Sequence, residues 1–162
     1  YSKRKIQYFD SELNKSYIPY VIETSIGLDR MFLAIMCNSY KEEVINDNEK
    51  RTVLSIPKFL APVKLAILPL TRKDGLSEKA KKIFNDLKLE FNCYYEEKDS
   101  IGKRYRRQDA IGTPFCLTID HQTLEDDTCT LRYRDKMNQK RVKIKEVFEI
   151  LDKEVNLKNF IV

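Results

Sequence analysis

VKLAILPL, Val63 to Leu70, is near-continuous in apolar residues and closes at Pro69, the pattern of a strand covered on both faces. Downstream of the turn Lys73-Asp74-Gly75, Leu76, Ala80, Ile83, Phe84 and Leu87 recur at helical spacing, with Ser77 placed to act as an N-cap. Phe91, Cys93 and Tyr95 alternate as a strand, Ile101 to Ala110 reads as a second helix, and Phe115 to Ile119 is a second apolar strand behind Pro114. The order β-α-β-α-β predicts a compact α/β layer built on a mixed sheet from about Ala61 onward. Further on, Cys129, Leu131 and Tyr133 alternate with Thr130, Arg132 and Arg134, predicting a strand with one buried and one wet face. Ile144, Val147, Phe148 and Leu151 mark a closing helix.

Upstream, Pro57 and Pro62 bracket a short linker, and Lys41 to Arg51, rich in Lys, Glu, Asp and Asn, reads as a solvated connection. Two strand-like runs, Lys5 to Phe9 and Tyr17 to Ser25, flank a polar segment containing Asn14 and Lys15 and predict an antiparallel pair. The helix that follows is apolar nearly all round (Leu28, Met31, Phe32, Leu33, Ile35, Met36), so burial on more than one face is expected. The first residues, YSKRKIQYFD, are basic without a following apolar segment, reading as neither a signal peptide nor a natural beginning, and the chain is expected to be cut from a longer one.

The 162 residues are 42% hydrophobic, enough for a core, and 34% charged with a net charge of +5. That balance suits a protein that meets a polyanion, and is also common in proteins that bind none. Cys37, Cys93, Cys116 and Cys129 are widely spaced without a CxxC pair, which favours reduced, buried thiols over disulfides or a zinc site. His121, the only histidine, sits in a polar stretch with neither a ligand cluster nor a nucleophile beside it and reads as solvent-exposed. The longest apolar runs, Met31 to Cys37 and Leu65 to Leu70, are far too short to cross a bilayer.

Two segments concentrate chemistry. ETSIGLDR, Glu23 to Arg30, reads as strand, glycine turn and helix start, placing a carboxylate, a hydroxyl and a guanidinium around one turn. Gly27 is the residue there that is free to take a positive φ or admit a ligand close to the backbone. The alternative is a plain strand-to-helix turn with Asp29 near a helix N-terminus and Arg30 in a surface ion pair. In GKRYRRQD, Gly102 to Asp109, the cations Lys103, Arg104, Arg106 and Arg107 crowd around Tyr105. Like charges on one helical stretch repel, so the pattern calls for a nearby anion or for side chains splayed into water. Basic side chains meeting phosphates around an aromatic ring suit single-stranded RNA. A solvated helix face with Tyr105 as a core residue beside Ile101 is the competing reading. Arg132 and Arg134 on the wet strand face are further RNA-contact candidates.

YIPYVIETSIGLDRMFLA, Tyr17 to Ala34, resembles motif 3 of the class II aminoacyl-tRNA synthetases in the form found in glycyl-tRNA synthetases, with Glu23-Thr24-Ser25 narrowing the resemblance. LAPVKLAILPL, SIGKRYRRQDAIGTPFCLTID and TLRYRDKM, between Leu60 and Met137, are similar to the C-terminal anticodon-binding domain of glycyl-, threonyl-, prolyl- and histidyl-tRNA synthetases. The resemblance implies a mixed five-stranded sheet flanked by helices at 61–162, a linker at 41–60, and a strand pair and helix from a class II catalytic domain at 1–40. It implies that Glu23 and Ser25 contact glycine, that Gly27 and Arg30 meet ATP, with Arg30 stabilising charge on the phosphates, and that Mg2+ accompanies the nucleotide. For the anticodon of glycine tRNA it implies Gly102, Lys103, Tyr105, Arg106, Arg107, Arg132 and Arg134. A homodimeric, cytoplasmic ligase is the implied parent. Motifs 1 and 2 of that class are absent from these residues, so the expectation is RNA binding without autonomous aminoacylation. A non-catalytic protein that uses the anticodon-binding fold as an interaction module is the alternative.

Overall fold

The computed structural model of the chain describes residues 6–46 and 49–161 and divides into two units, Tyr1–Phe32 and Leu33–Val162. In the first, strand β1 (Tyr8–Asp10) pairs antiparallel with β2 (Lys15–Tyr17), Tyr8 opposite Tyr17 with their rings edge to face at 5.9 Å. The Asp10 carboxylate closes the connection by accepting from the backbone N–H groups of Glu12 and Leu13 at 2.9 and 3.0 Å. Asn14 adopts φ 45°, a left-handed conformation that asparagine tolerates. The expected antiparallel pair is present but much shorter: Lys5 of the first run lies outside the described residues, and the second run stops at Tyr17. Residues 18–27 have no regular secondary structure. A strand exists only with a partner, Pro19 offers no N–H, and Val21 and Ile22 are 81% and 96% exposed.

Helix α1 (Leu28–Ser39) begins where Met31 N–H bonds to Gly27 C=O at 3.0 Å. The burial expected all round this helix does not occur: Leu28, Met31, Phe32 and Leu33 are exposed, and only Ile35 and Met36 are half-buried before Ser39. Cys37 is exposed as well, against the expectation of a buried thiol, while Cys116 and Cys129 are buried and Cys93 half-buried.

The segment Lys41 to Arg51, expected as a solvated connection, belongs to an antiparallel hairpin of β3 (Tyr40–Asn46) and β4 (Glu49–Leu54) with an irregularity between Val44 and Asn46. Its alternation was hidden because one of the inward residues is charged: Arg51 and Val53 are both 1% exposed, with Thr52 outside between them. After it come β5 (Leu65–Pro69), α2 (Leu76–Leu87), β6 (Cys93–Tyr95), α3 (Ile101–Ile111) and β7 (Phe115–Ile119). The chain continues through α4 (His121–Asp126), β8 (Thr128–Tyr133), β9 (Gln139–Lys143) and α5 (Ile144–Val155), ending in a 3-10 turn at Leu157–Asn159. The sheet order is β6-β5-β7-β8-β9, parallel across β6, β5 and β7, antiparallel across β7, β8 and β9. This is the mixed five-stranded α/β sheet flanked by helices.

Strand alternation sorts the two faces. Leu65, Ile67, Phe115, Leu117, Ile119 and Leu131 meet Leu76, Ala80 and Ile83 of α2 and Val147 and Leu151 of α5, all essentially inaccessible. On the other face the smaller Ala66, Leu68 and Cys116 receive Ile101 and Tyr105 of α3. Two local readings are corrected. The N-cap of α2 is Gly75 at φ 76°, not Ser77, which lies inside the helix. The polar stretch around His121 is a helix started by a capping box, in which Asp120 Oδ1 accepts from Thr123 N–H and Thr123 Oγ1 from Asp120 N–H, each at 3.0 Å. His121 is exposed, its Nε2 3.1 Å from Asp74. Among the described residues no helix is long and apolar enough to cross a membrane.

Candidate nucleic-acid interface

Helix α3 carries the sequence Ile101-Gly-Lys-Arg-Tyr-Arg-Arg-Gln-Asp-Ala-Ile111 between Ser100, in extended backbone, and Gly112, whose left-handed φ of 86° ends it. The close approach of the hairpin needs a glycine here: a Cβ at Gly112 would lie 3.0 Å from Ile56 Cγ2 and 3.1 Å from Leu54 C=O. One face of the helix is anchored to the sheet by Ile101 and by Tyr105, whose hydroxyl bonds to the Thr118 hydroxyl. Burial raises the Tyr105 pKa, so the phenol stays protonated.

The repulsion expected among the four cations is resolved residue by residue. Arg104 is buried and donates to the C=O groups of Pro69 at 2.7 Å, Glu96 at 3.1 Å and Leu70 at 3.3 Å, closing the carbonyl end of β5. Arg107 holds Glu96 at 2.6 Å and Asp99 at 3.0 Å. Arg106 reaches Glu49 of β4 at 2.6 Å. Lys103 is exposed and enters no ion pair among the described residues.

Arg132 and Arg134 are not on a wet face. They are 3% and 2% exposed, because α3, through Asp109, and the β3–β4 hairpin, through Arg51, meet the face that was expected to meet water. Arg132 grips Asp109 through both terminal nitrogens, at 2.7 and 2.9 Å, and its guanidinium carbon lies 4.7 Å from the Tyr105 ring centre. Arg134 donates to Gly112 C=O at 2.7 Å, to Ile56 C=O at 2.9 Å and to Asp135 at 2.7 Å. Arg51 completes the network. It donates to Asp109 Oδ2 at 3.1 Å, to Arg134 C=O at 3.0 Å and to Glu43 at 2.5 and 3.0 Å.

The structure brings Gly102, Lys103, Tyr105, Arg106 and Arg132 together around one open cavity of about 350 Å³. Arg107 and Arg134 are outside its lining. Glu49, Met137 and Gln139 also line it and were missed in the sequence. Nothing in the sequence around Met137 or Gln139 singles them out, whereas the β4 hairpin that supplies Glu49 was legible only once Arg51 is allowed to face inward. Lys103 and Arg106 can meet phosphates at the rim, with the Arg132–Tyr105 pair below.

Glu23, Ser25, Gly27 and Arg30 lie together along residues 18–27 and the first turn of α1, all exposed. Gly27 has no positive φ, and a Cβ there would meet only the Arg30 side chain at 3.7 Å, so no special backbone conformation is needed at this turn.

Residues 64–154 match the family described as Anticodon binding domain. The chain is 49% identical over 151 residues to the glycine–tRNA ligase of Chlorobaculum tepidum, covering 93% of this chain and 32% of that protein. It is 48% identical over 160 residues to the glycine–tRNA ligase of Treponema denticola, covering 96% and 36%. It spans about a third of the length of the curated relatives it matches. Among solved structures, the RNA binding domain of threonyl-tRNA synthetase from Cryptosporidium parvum Iowa II matches with a TM-score of 0.57 at 20% identity, over 62% of this chain and 26% of that one, a likeness of fold.

Proposed function

Because this chain belongs to the anticodon binding domain family, we propose that it is the C-terminal portion of a glycine–tRNA ligase and that its own activity is binding the anticodon of glycine tRNA. The family match across residues 64–154 carries this reading, and the basic cavity beside α3 supports it. In the proposal Lys103 and Arg106 meet backbone phosphates, Gly102 leaves the approach open, and Tyr105 with Arg132 lies beneath an unstacked base. Arg106 exchanges Glu49 for a phosphate on binding. Arg107 meets RNA at the edge only by exchanging Glu96 or Asp99 for a phosphate, and Arg134 acts from beneath the surface by holding Gly112 and Ile56 together.

The parent enzyme, in this reading, activates glycine with ATP and works as a cytoplasmic homodimer. Glu23 and Ser25 pair with the ammonium and carboxylate region of glycine, and Gly27 and Arg30 take the ATP phosphates. In this reading Mg2+ accompanies the nucleotide. The proposal divides the chain into a catalytic-domain portion at 1–40, a connecting segment at 41–60 that carries the hairpin, and the anticodon-binding domain at 61–162. By itself the chain is expected to show no glycine-dependent pyrophosphate exchange, since motifs 1 and 2 are not among its residues.

The test is binding of the full chain to the anticodon stem-loop of glycine tRNA, with its own anticodon and with altered ones. Tighter binding to the unaltered loop is expected; equal affinities would reduce the site to a polyanion surface. Arg106→Ala should flatten the dependence of log affinity on log salt by about 0.7, one single-strand phosphate contact.

A further inference from the structure

Among the described residues Asp109 is the charged residue with the lowest exposure, 0%, and it does not line the cavity. Its two oxygens accept three guanidinium bonds: two from Arg132 at 2.7 and 2.9 Å and one from Arg51 at 3.1 Å. Arg51 is shared in turn with Glu43. The row Glu43–Arg51–Asp109–Arg132 therefore balances two carboxylates against two guanidiniums and ends on the Tyr105 ring.

Arg132 is a poor phosphate anchor in this arrangement. Its charge is already matched by Asp109, and its side chain is 4% exposed. What it offers the cavity is a plane held in a fixed place. A two-point grip on a planar fork sets both position and tilt, which a single contact leaves free.

We infer that Asp109 is a positioning residue for RNA binding: its two-point grip sets the Arg132 guanidinium against Tyr105 beneath the cavity. The inference rests on the RNA-binding reading and adds a residue that touches no RNA. Because no phosphate contact passes through Asp109, displacing its carboxylate while keeping the charge affects recognition of a base and leaves the electrostatic part of binding alone.

The test uses the full chain with the glycine-tRNA anticodon stem-loop and the same stem-loop made abasic in the loop. Wild type should prefer the base-bearing loop, and Asp109→Asn should lower that preference by about tenfold, the size of one lost stacking contact, while the charge-preserving Asp109→Glu should lower it with an unchanged salt slope. In spectra of the arginine side chains, the Arg132 signal shifted by the Tyr105 ring should collapse towards that of a free arginine. Arg51→Met, which removes the hairpin's cation and leaves the two-point grip, should keep both the preference and the shifted signal even where it lowers the melting temperature. If Asp109→Asn does not fold, Asp109→Glu is read in both assays, since the extra methylene moves the guanidinium while keeping the charge. A retained preference in the folded Asp109 variant, or equal losses in the Arg51 and Asp109 variants, overturns the inference. A wild type that binds base-bearing and abasic loops equally sinks the RNA-base reading itself and the inference with it.

Discussion

Residues 18–33 and residues 65–68 are both strongly apolar, and they meet opposite fates. Leu65, Ala66, Ile67 and Leu68 are all 0% exposed, whereas Tyr20, Ile22, Ile26 and Phe32 range from 63% to 103%. The difference is in partners. Leu65 to Leu68 belong to a strand with a parallel neighbour on each side and side chains from helices on both faces. Val21 and Ile22 pair with no strand among the described residues. Apolar composition expresses a demand for burial, and only a partner satisfies it.

The largest way to break the comparison is to truncate one side chain in each region. Leu117→Ala, at the centre of the sheet, should cost about 3 kcal/mol of unfolding free energy through lost transfer and a residual cavity. Ile22→Ala should fall within about 0.5 kcal/mol of wild type. Urea titration followed by circular dichroism measures both, and a comparable loss at Ile22 would mean that the first region is buried after all.

A smaller contrast uses the two glycines. Gly112→Ala should destabilise by roughly 1–2 kcal/mol, because an alanine is strained at a left-handed φ and its Cβ would press on Leu54 C=O and Ile56. Gly27→Ala has neither problem and should be neutral or stabilising by up to about 1 kcal/mol, by restricting the unfolded chain. Thermal melts of the two variants, lowered for Gly112→Ala and unchanged or raised for Gly27→Ala, sharpen the distinction between a turn the fold demands and one it merely permits.

The smallest expected effect is a pH dependence at the N-terminus of α4, beside the five-stranded sheet. Burial acts to raise the Asp120 pKa, but the bonds from Arg141 and Thr123 outweigh it and hold the folded value below the ordinary 3.8. A depressed folded pKa gives stability that is present above the unfolded value and is lost as the pH falls through the folded one. The melting temperature should therefore drop below about pH 4, and Arg141→Met should flatten that fall by removing the partner. A variant with the same acid slope as wild type would show that Arg141 is not its source.

Regular alternation made much of the fold legible. Leu65 to Pro69, Leu76 to Leu87, Ile101 to Ile111 and Phe115 to Ile119 lie close to where apolar spacing put them. The hairpin and β9 were not legible, because their rows are written in charged residues: Arg51 occupies an inward position, and QKRVK shows one apolar side chain in five. The fifth strand was expected only from the family resemblance. In the candidate interface the basic character of α3 could be read directly, but the destination of each cation could not. Arg104 and Arg106 are neighbours in kind and two residues apart, yet one caps carbonyls in the interior and the other faces the cavity rim. That depends on where β4, β5 and the Glu96 loop lie in space. The same reason misplaced Arg132 and Arg134: period-two spacing says that they share a face, not that another hairpin covers it.

The cations of β9 also bear on how copies of this chain meet. β9 is an edge of the sheet, and an edge offers unpaired backbone to any passing strand. Three of its five residues, Lys140, Arg141 and Lys143, are positive, and the two lysines enter no ion pair among the described residues, so pairing one β9 with another would crowd four uncompensated like charges along a single ribbon. The strand that hid itself from apolar pattern is, for the same compositional reason, a poor template for sheet-to-sheet aggregation.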